Sequence, residues 1–279
     1  MQADKRTIRI AILDLYQGQP NQGMRCIRQI ISEWSEHNNL DVQCKEFDVR
    51  QQNELPDLSF DLYISSGGPG DPLISRFEDW DIAWCKWLKA VTRWNENPES
   101  PDKKYVFFIC HSFQLASRYF NAGIVCPRKS TAFGVFPVHM LDAGKQEPVF
   151  DGLRDPFYAV DSRDHQVIQP NHDLLQKMGG RILCIEKKRA HVPYERAVMG
   201  IRFNEFMIGT QFHPEADAYG MSHYLQTEEK RKTVIENHGE EKLNSMLEQL
   251  NDPDKILWTY SHVLPNFLNQ SVAQLIEVI

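Results

Sequence analysis

The chain has 279 residues, 42% hydrophobic and 25% charged, and its 31 Lys and Arg against 38 Asp and Glu give a formal net charge of −7. A chain of this size and mixture buries a core without disulfide or metal staples, which excludes small cross-linked scaffolds and disordered tails. The acidic balance argues against a nucleic-acid grip, which needs a basic footprint, and no apolar run approaches the roughly 20 residues that span a bilayer.

The N-terminal segment MQADKRTIRIAILDLY interrupts its apolar stretch with Arg9 and Asp14, so no signal peptide is expected. The residues from Thr7 to Leu15 then read as a β-branched strand. Ile27, Ile30, Ile31 and Trp34 follow at helical spacing. Strand patterns return over Leu40–Val49 and Phe60–Ser65. Trp80, Trp84, Trp87, Leu88, Val91 and Trp94 mark one face of a long helix, which either packs on a sheet or meets a partner. The run KKYVFFIC reads as a buried strand, followed by a helix from His111 to about Tyr119. Alternation of this kind predicts a flavodoxin-like, doubly wound, mostly parallel sheet with helices on both faces.

From about Ile124 the texture changes to strands separated by turns: AFGVFPVHML, PFYAVDSRDHQVI, RILCIEK, RAVMGIRF and EFMIGTQFHPE. These predict an antiparallel extension of the same sheet. After Asp217 the sequence turns helical and charged; Leu243, Met246, Leu247 and Leu250 form an apolar stripe, and EEKRK reads as a solvated helix face. The expectation is an α/β domain over 1–217 with a helical extension over 218–279 packed on it. Six scattered cysteines without a C-x-x-C pair indicate reduced thiols, hence a cytoplasmic protein. The ten histidines have no H-x-x-x-H or H-x-H spacing, so no metal is expected.

Three segments stand out: Ser65–Pro72 (SSGGPGDP), Phe107–Ala116 (FFICHSFQLA) and Gly209–Asp217 (GTQFHPEAD). Each follows a predicted strand, and in a doubly wound sheet the carboxyl ends of strands share one crevice. Cys110 stands where a strand becomes a helix, a location that favours the reactive thiolate; the alternative is a small core residue. His213 and Glu215 sit at i and i+2 of an extended segment that Pro214 helps fix, so the carboxylate can orient the imidazole while it takes a thiol proton. The alternative is a surface turn. The Gly67-Gly68-Pro69-Gly70 loop is either a tight turn or a set of backbone donors for an oxyanion; without G-K-[ST] it is not a phosphate loop.

Gly-Gly-Pro-Gly after a strand, Ile-Cys-x-x-x-Gln at a strand–helix turn and His-Pro-Glu near the end of the core, in this order and spacing over residues 7–217, resemble the class I glutamine amidotransferases, with the GMP synthase glutaminase-like branch nearest. The resemblance implies that Cys110 attacks the side-chain amide of glutamine, forming a γ-glutamyl thioester and releasing ammonia. His213 would shuttle protons and Glu215 would orient it. The amides of Gly68 and His111 would form the oxyanion hole. Gly70 and Gln114 would contact substrate, and Ser162 and Arg163, with Asp164 and His165 after them, fall where the family binds the α-amino and carboxylate groups. No cofactor is implied.

The chain departs from the family's G-x-C-x-G-x-Q turn, having Phe108 and Ser112 for its glycines. Arg163 stands where His is common, and an Arg there could pair with a substrate carboxylate. Three functions follow: a glutaminase supplying a separate synthetase or acceptor subunit, a stand-alone hydrolase of γ-glutamyl peptides or amines, and a non-catalytic binding protein on the same fold. The expected partners are thus a small γ-glutamyl substrate and an acceptor subunit, with neither nucleic acid nor membrane.

Overall fold

The computed structural model describes residues 6–18, 21–189, 195–252 and 255–277. The first five residues, part of the segment examined for a leader, lie outside these. In chain order the elements are β1 (Ile8–Asp14), α1 (Gln22–His37), β2 (Val42–Asp48), β3 (Leu62–Ser65), α2 (Asp79–Glu96), β4 (Tyr105–Ile109) and α3 (His111–Tyr119). There follow β5 (Ile124–Met140), α4 (Asp142–Lys145), β6 (Phe157–Ile168), α5 (His172–Lys177), β7 (Arg181–Glu186), β8 (Val198–Asn204) and β9 (Met207–Thr210). Four helices close the chain: α6 (Ala218–Gln226), α7 (Glu228–His238), α8 (Glu240–Leu250) and α9 (Ile256–Glu277).

The strands form one nine-stranded sheet in the order β2-β1-β3-β4-β9-β8-β6-β5-β7. Crossovers carrying α1 and α2 join β1 to β2 and β3 to β4, a helix-free stretch joins β2 to β3, and β2, β1, β3, β4 and β9 pair in parallel. The remaining pairings are antiparallel. The expectation of a mostly parallel sheet is therefore corrected to a mixed one. The connections explain the difference: two residues, Glu205 and Phe206, separate β8 from β9 and permit only a hairpin. Strand β5 also starts earlier than its sequence suggested, at Ile124, and absorbs a register shift between Pro127 and Ala132.

Both faces of the parallel half are covered. On one, Ile27, Ile30, Ile31 and Trp34 of α1 pack with Ile10, Ile12 and Phe107, together with Val263, Leu264, Phe267 and Leu268 of α9. Phe267 meets Phe107 edge-on at 5.2 Å, and Trp34 Nε1 donates to Asn269 Oδ1 at 2.7 Å. On the other, Trp80, Trp84 and Trp87 of α2 pack with Leu13, Tyr63, Phe108 and Phe113. The tryptophan stripe thus faces the sheet, and each of these three rings is at most 6% exposed. Burying one such aromatic is worth roughly 1.5–3 kcal/mol, which fixes α2 and, through it, the loop from β3.

Helices α6 to α8 form a separate layer over the antiparallel half, where Leu225, Leu243, Met246 and Leu250 pack on Val135 and Val160. Glu228, Glu229, Arg231 and Lys232 of α7 are exposed. Among the described residues no helix is long and apolar enough to cross a membrane.

Candidate active site

A cavity of about 460 Å³ opens at the carboxyl ends of β3, β4 and β9, and the eleven residues to which the resemblance gave site roles line it. The junction of β4 and α3 carries Cys110 with φ +47° and ψ −96°. Positive φ is uncommon for a residue with a Cβ and costs on the order of 1–3 kcal/mol. Neighbouring hydrogen bonds hold it there. Cys110 N donates to Thr210 O at 2.8 Å and Gln114 N donates to Cys110 O at 3.1 Å. The Ser112 hydroxyl donates to Ser65 O at 2.6 Å and accepts from Ile109 N at 2.8 Å, tying the ends of β3 and β4 together.

The two departures from the family's turn have physical accommodations. Ser112 adds the brace just described. Phe108 is fully buried, its ring 5.8 Å from Trp84 and 5.7 Å from Phe203. The space it needs comes from its register partner on β9, Gly209, where an added Cβ would lie 2.9 Å from Phe108 Cβ. The glycine missing from β4 is in effect supplied by the adjacent strand.

His213 is fixed from two directions. Its backbone N donates to Val160 O at 2.9 Å, its Nδ1 lies 2.9 Å from Glu215 Oε1, and it lines the same cavity as Cys110. Gly67 lets it approach, since a Cβ there would lie 2.8 Å from His213 Cε1. Burial opposes the imidazolium, but the negative charges of Cys110 and Glu215 overcome it and hold the His213 pKa well above the ordinary value.

His111 is buried against Trp80 and lies with Nε2 3.2 Å from Arg50 Nη2. Arginine only donates, so His111 Nε2 accepts and Nδ1 carries the proton. Burial, then the Arg50 and Arg118 charges, lower its pKa to about 3, so the ring is neutral near pH 7. Its backbone N–H belongs to the first turn of α3, whose amides have no intrahelical acceptor. Gly68 packs against the Leu15 carbonyl, and Gly70, at φ +102°, lies beside Arg50.

Gln114 is buried, donating to His165 O at 3.3 Å and Gln211 Oε1 at 3.1 Å. Ser162 presents its carbonyl 3.7 Å from Cys110 Sγ. Arg163 borders the cavity, but its guanidinium is taken: Nε donates to both Asp161 oxygens at 2.9 and 3.0 Å, and Nη2 to Glu186 at 2.9 Å. With its side chain 1% exposed, that group is a structural ion cluster, not an open carboxylate receptor. Two further residues escaped sequence reasoning. Gln211 Nε2 lies 3.7 Å from Cys110 Sγ, and its position two residues before His213 on an extended segment was the available signal. Tyr16 has its hydroxyl close to Gly67 and Gly23, and burial, with Glu215 and Cys110 nearby, pushes its phenol well up so that it stays protonated; nothing in the sequence pattern marked it.

A buried thiol at a strand–helix turn, a histidine on the same cavity and a carboxylate on that histidine's Nδ1 are the groups that acyl transfer through sulfur uses. Residues 25–231 match the family model for glutamine amidotransferase class-I, and the chain belongs to that family. Similar solved structures include a glutamine amidotransferase from Thermotoga maritima, with 15% identity over 95% of this chain and 98% of that one and a TM-score of 0.66. A glutamine amidotransferase from Methylobacillus flagellatus shows 12% identity over 95% of each chain and a TM-score of 0.60. The glutaminase domain of Trypanosoma brucei CTPS, solved with bound acivicin, shows 15% identity over 75% of this chain and 86% of that one, with a TM-score of 0.53. Comparison with curated protein sequences finds no match.

Proposed function

We propose that this chain hydrolyses the γ-amide bond of glutamine or a γ-glutamyl compound through a thioester on Cys110. The observation that carries this reading is the placement of Cys110, His213 and Glu215 on one cavity, with Glu215 Oε1 2.9 Å from His213 Nδ1. Cys110 Sγ attacks the γ-carbonyl carbon, and the oxyanion is stabilised by the amides of His111 and Gly68. His213 then protonates the leaving nitrogen. Water adds to the thioester, gives its proton to His213 and releases glutamate. Glu215 keeps the His213 proton on Nδ1 and stabilises the imidazolium.

The glutamyl part lies along Gly70, Gln114 and the Ser162 backbone, with the Asp164 carboxylate, which accepts from Thr131 Oγ1 at 2.5 Å, turned to the same cavity for the α-ammonium. With glutamine as substrate the product is ammonia, and a separate acceptor subunit would consume it. The second reading, a stand-alone γ-glutamyl hydrolase, is favoured by a cavity whose size falls in the range of sites for ligands larger than one amino acid, roughly 300–1,000 Å³. Glutamate release from glutamine by wild type and Cys110→Ala tests the common chemistry. The expected result is turnover only with the thiol present; equal background in both would overturn it.

A further inference from the structure

The cavity is lined by polar and apolar residues, with Tyr16, Asn21 and Gln22 among the polar ones. On the His213 side the chain runs through Ala216 into α6, which presents Met221 and Tyr224 to the same space. Val160, whose carbonyl holds the His213 amide, and Phe133 complete that wall from β6 and β5. The wall is backed by packing: Val160 and Ala216 belong to the apolar cluster that also contains Leu225, Leu243 and Met246. Its position is fixed by Asp217, which caps α6 through Gly220 N at 2.5 Å and pairs with Arg25 of α1 at 2.7 Å.

Charge narrows the choice of ligand. Among the described residues lining the cavity, Arg163 is the sole Lys or Arg, and its guanidinium is held by Asp161 and Glu186. The carboxylates Asp164, Glu215 and Asp217 border the same space. A leaving group that carries its own carboxylate, as in a γ-glutamyl peptide, would find no unpaired Lys or Arg among these lining residues, since Arg163 is held by Asp161 and Glu186 and nearby Arg25 by Asp217. An apolar body on the leaving nitrogen would instead remove the wall from water.

We infer that the leaving-group side of this site takes an apolar primary amine, so that γ-glutamyl amides of aromatic or alkyl amines are cleaved in preference to glutamine and to γ-glutamyl peptides. This rests on the thioester reading above and names its substrate class. In balance, the Sγ–C bond forms as the C–N bond breaks, and His213 supplies the proton that the amine carries away. Water then cleaves the thioester, leaving glutamate and the regenerated thiol. Helix α6, beyond the His-Pro-Glu segment, thereby becomes a specificity element through Met221 and Tyr224.

The test measures glutamate release by the full chain from L-glutamine, L-γ-glutamylbenzylamide and L-γ-glutamylglycine, with Cys110→Ser as the blank. Apolar pocket contacts discriminate by about tenfold or more, so kcat/KM for the benzylamide is expected to exceed both others by about that factor. In the double variant Met221→Ser, Tyr224→Ser the benzylamide should lose at least as large a factor more than glutamine does. Thiol-dependent cleavage of glutamine or the dipeptide at a rate equal to or above the benzylamide would overturn the inference while leaving the thioester reading intact. A preference that the double variant does not reduce would overturn the assignment to α6; if that variant fails to fold, the wild-type ratio decides. Cleavage of none of the three would overturn the thioester reading and this inference with it.

Discussion

The two halves of the sheet build the site by different physical means. In the parallel half, backbone geometry does it: strand ends, a positive-φ cysteine, a glycine loop and the first turn of α3 converge with few side-chain requirements. In the antiparallel half and the helices over it, side chains do it: a buried ion cluster around Arg163 and an apolar wall from Phe133 to Tyr224. The lesson is that Phe108 and Ser112 leave the Cys110 backbone conformation intact, whereas the cavity wall beyond it is set by side chains.

Variants at the two halves should separate these contributions. Cys110→Ala should abolish γ-glutamyl hydrolysis by at least about 10³-fold with thermal stability nearly unchanged, the signature of a lost nucleophile. Arg163→Ala should act in the opposite way. It strands Asp161 as a buried carboxylate, while Glu186 keeps Arg128 and Arg189, and should cost about 3–5 kcal/mol in urea unfolding. A wild-type-like unfolding midpoint would mean that the ion cluster does not hold the antiparallel half.

Glu215→Gln should lower kcat by about 10²–10⁴-fold, as loss of the orienting acid does in related constellations. The pH profile adds a directional check. His213 has its pKa raised, so its imidazolium, and any stability it contributes, persists above the unfolded value near 6.5 and is lost as pH rises through the folded pKa. Removing the Glu215 charge should move the alkaline limb of kcat/KM to lower pH. Gly209→Ala, which sets a Cβ against Phe108, should destabilise by about 1–3 kcal/mol with a smaller effect on catalysis.

A pH-dependent effect concerns His111. Its folded pKa of about 3 lies below the unfolded value, so stability is lost as pH falls from about 6.5 toward 3. His111→Gln should flatten that part of the stability–pH curve; an unchanged slope would mean that the ring is not held neutral.

Much of the parallel half was legible because its signals are local. The runs TIRIAILDL and KKYVFFIC can bury both faces of a strand, and the helical spacing from Trp80 to Val91 has one inward reading once a sheet is present. Cys110, His213 and Glu215 could be picked out because each lies just past a strand. The antiparallel half was harder. The pairing of β5 with β6 and the shift at Pro127–Ala132 depend on distant partners. Arg163 looked like a substrate ligand because the alternation of Asp161, Arg163 and His165 on one face does not reveal that Glu186 waits on β7. Tyr16 reaches the site only because two glycines, far apart in sequence, leave it room. Helix α9 joins the main core through Phe267 and Leu268, a contact no local pattern encodes.

The central claim is that one thiol among six is activated for attack on a γ-glutamyl carbonyl. Three of the other cysteines provide an internal control, since burial raises Cys26 to about 12 and Cys85 to about 11 and pushes Cys184 up as well. Incubating the protein with a chloroketone analogue of glutamine and mapping the adduct by peptide mass spectrometry tests the claim most directly. The account predicts stoichiometric labelling of Cys110 alone, slowed by excess γ-glutamyl substrate and lost in His213→Asn. Labelling spread over several cysteines, or unaffected by substrate and by His213→Asn, would contradict it.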